Sequence, residues 1–144
     1  MHITGMVHIN INCSDYEKSK AFYEMLGFEE IWQVPETNTA EVAAAVGMKP
    51  YRLTGALFAL AGANPPLIID LLEWKDPADD APPYPHLYHI GLARMALMSS
   101  DLDADLKFLV EREVEIVGPI GTVATNKNHG SRFFCFKDPD GTYL

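Results

Sequence analysis

"MVHININCSDYEKSKAFYEMLGFEE", residues 6–30, changes its period partway along, and that change decides how the chain folds. Val7, Ile9, Ile11 and Cys13 alternate with His8, Asn10 and Asn12, the two-residue repeat of a half-buried strand. Ser14-Asp15-Tyr16-Glu17 then reads as a capping box, with Ser14 closing the helix start and Glu17 reaching back. Tyr16, Phe22, Tyr23 and Leu26 fall on one helical stripe, and Gly27 supplies the stop. A second strand is predicted over residues 28–34.

Residues 94–117 say something similar. Met95, Leu97 and Ser99 take the places of Ile9, Ile11 and Cys13, and Ser100-Asp101-Leu102-Asp103 repeats the cap. Leu102, Leu106, Leu109 and Val110 form the helical stripe, and residues 114–117 return as a strand. His8 precedes Asp15 by the same interval as Arg94 precedes Asp101. A repeat of this size implies two copies of one supersecondary unit.

Further strands are predicted at "YRLTGALFALAG" (51–62), "PPLIIDLLEW" (65–74) and "SRFFCF" (131–136), with a short helix or loop at 39–48. "DPDG" (138–141) suits a tight turn, and "TYL" begins one more strand. Proline-rich "KDPADDAPPYPH" (75–86) cannot be regular structure. The chain therefore reads as one α+β domain over 1–144, with a module at 4–75, a linker at 76–87 and a second module at 88–144.

Composition narrows the function. The 144 residues carry a net charge of −9, which would repel a phosphate backbone, so nucleic acid is excluded as a partner. No apolar run approaches the roughly 20 residues that cross a bilayer, and the start resembles no signal peptide. A cytoplasmic protein with no membrane partner is expected. Cys13 and Cys135 sit in apolar runs and read as buried reduced thiols.

The repeated βαβββ pattern, with "HININCSDYEKSKAFYEMLGF" and "FFCFKDPDGTYL", resembles the vicinal oxygen chelate superfamily, which includes glyoxalase I, methylmalonyl-CoA epimerase, extradiol dioxygenases and the bleomycin- and fosfomycin-resistance proteins. The resemblance implies two βαβββ modules forming a curved mixed sheet around one cavity. It also implies four inward positions around one divalent ion, and a homodimer.

His8 falls on the first of these positions, as an acid/base group or metal ligand. In "LIIDLLEW", Asp70 and Glu73 are three apart and face opposite sides of a strand. Asp70 lies deeper in the apolar run and precedes a leucine as the resemblance requires, so it is the candidate, and Glu73 reads as a solvated residue at the strand's exit. The repeat aligns Arg94, not His89, with His8, so a cation stands where the resemblance implies an imidazole. The fourth position, a Glu four residues after the "DPDG" glycine, would fall one residue past Leu144.

His8 and Asp70 are thus the metal candidates, which suits no metal or one divalent ion of Mn, Fe or Zn. Without an ion the trio still makes chemistry. His8 moves a proton near neutral pH, Asp70 partners it, and Arg94 holds an oxyanion by a two-pronged hydrogen bond. Trp32, Arg52, Phe58, Met98 and Phe134 are candidates to line a site for a small anionic or aromatic ligand. His129 and Arg132, beside the loop "NKNHGS" (126–131), are placed to cover its mouth. The leading expectation is an enzyme performing proton-transfer chemistry of the isomerase or lyase kind on a small oxygenated metabolite. The alternatives are a non-catalytic binding or resistance protein and a metal-dependent dioxygenase.

Overall fold

The computed structural model describes residues 2–126 and 129–144. The chain forms two compact units, Met1–Ala81 and Pro82–Leu144. The first carries β1 (Ile9–Asn12), α1 (Tyr16–Met25), β2 (Phe28–Gln33), α2 (Ala40–Ala45), β3 (Arg52–Leu60) and β4 (Ile68–Asp76). Its sheet runs β1-β4-β3-β2. β1 lies parallel to β4, and the other pairs are antiparallel, so the sheet is mixed.

Helix α1 starts one residue later than the capping box implies. The cap is Asp15, whose Oδ1 accepts from the Lys18 amide at 3.1 Å. Its buried residues Tyr16, Ser19 and Tyr23 share one helical face. Gly27, at φ +94°, ends it and turns the chain into β2. The first backbone amide of α1, on Tyr16, donates to Glu73 Oε2 at 3.1 Å. Glu73 is therefore not the solvated exit residue expected. It fastens β4 to the positive end of α1.

That contact fixes the two faces of the sheet. Ile69 and Leu71 share the side of Glu73, and register sets Phe58 opposite Ile69 and Ala56 opposite Leu71. All four have no measurable exposure and form the core under α1, with Tyr23 and Phe28 edge-to-face at 5.9 Å. The other face carries a row across all four strands: Asn10, Asp70, Leu57 and Trp32. A bulge at Ile31 keeps Trp32 in that row.

The second unit contains α3 (Leu102–Val110) and a hairpin of β5 (Gly121–Asn126) and β6 (His129–Phe133). Asp101 caps α3, its Oδ1 accepting from the Ala104 amide at 3.0 Å, and the Ser99 hydroxyl accepts from the Asp101 amide. Replacing either cap, Asp15→Ala or Asp101→Ala, is expected to cost about 1 kcal/mol of stability in urea unfolding.

The predicted strand over 114–117 is reduced to a bridge between Ile116 and Phe136, flanked by bonds from Val117 to Cys135 and from Lys137 to Glu115. "DPDG" forms the expected turn. Asp138 Oδ1 accepts from the Asp140 and Thr142 amides, and Gly141 stands at φ +99°. Leu144 then pairs with Phe136 in both directions.

Among the described residues no ladder forms over the expected strand at 94–99. The side chains do alternate, with Met95 buried and Arg94 and Ala96 exposed, but only the bond from the Met95 amide to the Tyr143 carbonyl, 3.3 Å, supports the backbone. Apolar alternation sets the sides, whereas a strand also needs a neighbour to accept its amides.

Candidate functional site

The parallel pairing of β1 with β4 sets Asn10 beside Asp70. His8, two residues ahead of Asn10, shares its parity, and its Nε2 lies 3.9 Å from Asp70 Oδ2. The two side chains retain 39% and 17% of their exposure, so the imidazole reaches solvent while the carboxylate sits largely inside. Asn10 Nδ2 donates to the Asp70 carbonyl at 3.1 Å and to Asp70 Oδ2 at 3.3 Å. Asp70 Oδ1 is buried with no hydrogen-bond partner among the described residues.

Burial raises the Asp70 pKa above the usual aspartate value, opposed by the His8 charge and the Asn10 hydrogen bond. The folded chain therefore holds this proton more tightly than the unfolded chain does. The stabilising contribution is complete below the ordinary aspartate value and is lost as pH rises through the raised one. Asp70→Asn is expected to raise the melting temperature by a few degrees at about pH 7, on the order of 1 kcal/mol, with the gap closing near about pH 3. A gap of equal size at both pH values would contradict this.

The other sequence candidates lie as follows. Arg94 Nη1 is 3.5 Å from Cys135 Sγ, its guanidinium is 6.0 Å from the centre of the Phe133 ring, and no carboxylate pairs with it among the described residues. Arg52 is committed to Glu36 at 2.9 Å at the start of β3. Trp32 stands 53% exposed in the row of Asp70. Phe58, expected as lining, is fully buried on the opposite face under α1. Met98 is 97% exposed, and Phe134 is half-buried with its ring 5.9 Å from that of Phe136. Arg132 makes a bidentate pair with Asp103 at 2.8 and 2.9 Å, and the side chain of His129 lies outside the described residues.

Asn10 is the residue that sequence reading passed over as a polar companion of His8. Its signal was present: an amide at the even parity of a strand whose apolar face is the odd one. A groove of roughly 390 Å³ also opens where β2 leaves the sheet, between residues 33–36 and 53–55, and contains neither His8 nor Asp70. Glu36 is the one titratable residue among those that line it.

His8 Nε2 and the Asp70 carboxylate are two donors for a metal. A tight site takes three or four. Among the described residues no group of three His, Cys, Asp or Glu side chains comes together as a metal site. These donors do not complete one among the described residues. Cys13, buried, and Cys135, half-buried, are not joined in a disulfide. No helix among the described residues is long and apolar enough to cross a membrane.

Known proteins agree with this architecture. An uncharacterized protein of Bacillus subtilis (strain 168), YwkD, is 33% identical over 141 residues, covering 97% of this chain and 93% of its own. A glyoxalase family protein from Bacillus cereus superposes with a TM-score of 0.78 at 15% identity, covering 99% of this chain and 92% of its own. A mutant of the fosfomycin resistance protein FosX from Listeria monocytogenes, solved with Mn(II) and 1S,2S-dihydroxypropylphosphonic acid, superposes with a TM-score of 0.62 at 20% identity, covering 99% of this chain and 89% of its own. The family described as Glyoxalase/Bleomycin resistance protein/Dioxygenase superfamily matches residues 5–144. The mixed sheet, the Asp-capped helix and this match over nearly the whole chain make the protein a member of that superfamily.

Proposed function

We propose that the chain is an enzyme of its superfamily that moves a proton on a small oxygenated metabolite, with His8 and Asp70 as its acid/base pair. One observation carries the reading: a buried carboxylate oxygen, Asp70 Oδ1, has no partner among the described residues and lies beside an imidazole that reaches solvent. Leaving such an acceptor unsatisfied costs about 1–3 kcal/mol, a cost that a substrate proton donor would remove. The raised pKa brings the carboxyl toward the working range of a general base.

In the reaction Asp70 takes a proton from the carbon next to a carbonyl, and the C–H electron pair passes to the carbonyl oxygen as an enolate. His8 supplies a proton to that oxygen or exchanges one with solvent, and reprotonation at carbon completes isomerisation or epimerisation. Arg94, without a carboxylate partner among the described residues, is proposed as an anion-holding side chain, and Trp32 as a ligand contact. A homodimer in the cytoplasm belongs to the same proposal.

The test is proton NMR in D₂O with hydroxyacetone, 2-oxobutyrate and the N-acetylcysteamine thioester of methylmalonate. Each is run alone and with added Mn²⁺, Fe²⁺ or Zn²⁺, the first because FosX was solved with Mn(II). Deuterium incorporation above the protein-free rate supports the reading. Tight binding with no incorporation supports a second one, a non-catalytic binder, favoured by the exposed indole of Trp32 next to Leu57.

A further inference from the structure

We infer that Asn10 is a positioning residue that holds the Asp70 side chain in one rotamer, with one carboxylate oxygen bonded and the other turned to the chemistry. This rests on the proton-transfer reading above. Asn10 Nδ2 spans two acceptors of one residue, the Asp70 carbonyl at 3.1 Å and Oδ2 at 3.3 Å. The first contact ties the amide to a backbone that the sheet already holds, and the second ties the carboxylate to the amide. The rotation of Asp70 about its side-chain bonds is thereby fixed from two sides.

The consequence is an asymmetric carboxylate. Oδ2 is engaged by Asn10 and faces His8, while Oδ1 has no hydrogen-bond partner among the described residues. A side chain free to leave this rotamer would carry its carboxylate away from the reacting position for part of the time. Fixing the rotamer raises the fraction of encounters in which a substrate proton meets a free oxygen. Misplacement of a reacting group by about 1 Å can cost 10²-fold in rate, so this amide acts through Asp70 without touching the substrate.

Asn10 itself is exposed on a four-residue strand, so the strand tolerates its replacement. Asn10→Leu keeps the shape and removes the donor. Asn10→Thr suits a strand and cannot bridge both acceptors. Two measurements follow on each variant and on the wild type. The Hα–Hβ couplings of Asp70 report its rotamer, and deuterium incorporation into the three carbonyl compounds gives kcat and KM.

The expected result is a single rotamer in the wild type that becomes averaged in both variants. With it, kcat falls tenfold or more while KM stays within twofold, a split that a merely structural role would not produce. Couplings that remain those of one rotamer in both variants overturn the inference whatever the kinetics show. Averaged couplings with unchanged kcat overturn it too. If the wild type exchanges none of the three compounds, the proton-transfer reading fails, and the couplings alone decide whether Asn10 sets the rotamer. Asp70→Asn, run alongside, marks the floor of the assay.

Discussion

His8→Ala and Asp70→Asn each lower deuterium incorporation by about 10²–10⁴-fold, the range that a positioned acid or base contributes. The two losses have different origins. Asp70→Asn keeps the shape of the side chain and removes the basic oxygen. His8→Ala leaves that oxygen in place but takes away the charge that opposes burial at Asp70, so its pKa rises further. The double variant is expected to lose little more than the worse single one, because groups that act as a unit are non-additive. Arg52→Ala serves as the control, since its guanidinium is spent on Glu36 at the exposed start of β3. Turnover that survives both single substitutions would remove the pair from the chemistry. The prediction gains weight from the stability measurement, because Asp70→Asn is expected to be the slower and the more stable protein. Active groups held against their own solvation commonly show that trade.

Phe58→Ala is expected to cost about 3–5 kcal/mol in urea unfolding, whereas Trp32→Ala costs roughly half a kcal/mol. Both aromatics looked like pocket lining in the sequence. Phe58 is sealed against Ile69 on the helix side, so truncation leaves a cavity that the neighbouring strands cannot close. Trp32 retains more than half of its exposure and gives up little on removal. Its indole matters to ligand binding instead, so Trp32→Ala is expected to weaken binding of an aromatic probe while Phe58→Ala acts through folding. Equal destabilisation by the two substitutions would mean that the faces of the sheet are assigned the wrong way round.

The same pair shows where sequence reading stops. Local signals were sufficient for the elements of the first unit, because a change of period, an Asp before a helical stripe and a glycine after it act over a few residues. The caps were misplaced by one position, since Ser14-Asp15 offers two oxygens and only the backbone angles choose between them. Opposite facing of Asp70 and Glu73 was legible from parity alone, and the bond from Tyr16 to Glu73 now shows which side each takes. The face of Phe58 was not legible. Its parity relative to Asp70 depends on the register of β3 against β4, which the connecting turn at 61–67 sets through its own geometry. The strand expected at 94–99 failed for a related reason: alternation is local, but hydrogen-bond partners are not.

The parallel seam between β1 and β4 has a consequence in time. Asn10 and Asp70 are 60 residues apart in sequence, whereas β3 and β4 meet through a short turn. Closing so long a loop is slow compared with zipping a hairpin, so β1 is expected to dock after the β2-β3-β4 meander has formed. The four residues of β1 sit at one edge of the sheet, where local opening is expected to cost less than in the central strands. Amide hydrogens along β1 should therefore exchange with solvent sooner than those of β3. Each such opening would part His8 and Asn10 from Asp70 while the hydrophobic core stays shut, so the edge that pairs them would have a shorter lifetime than the fold that carries it.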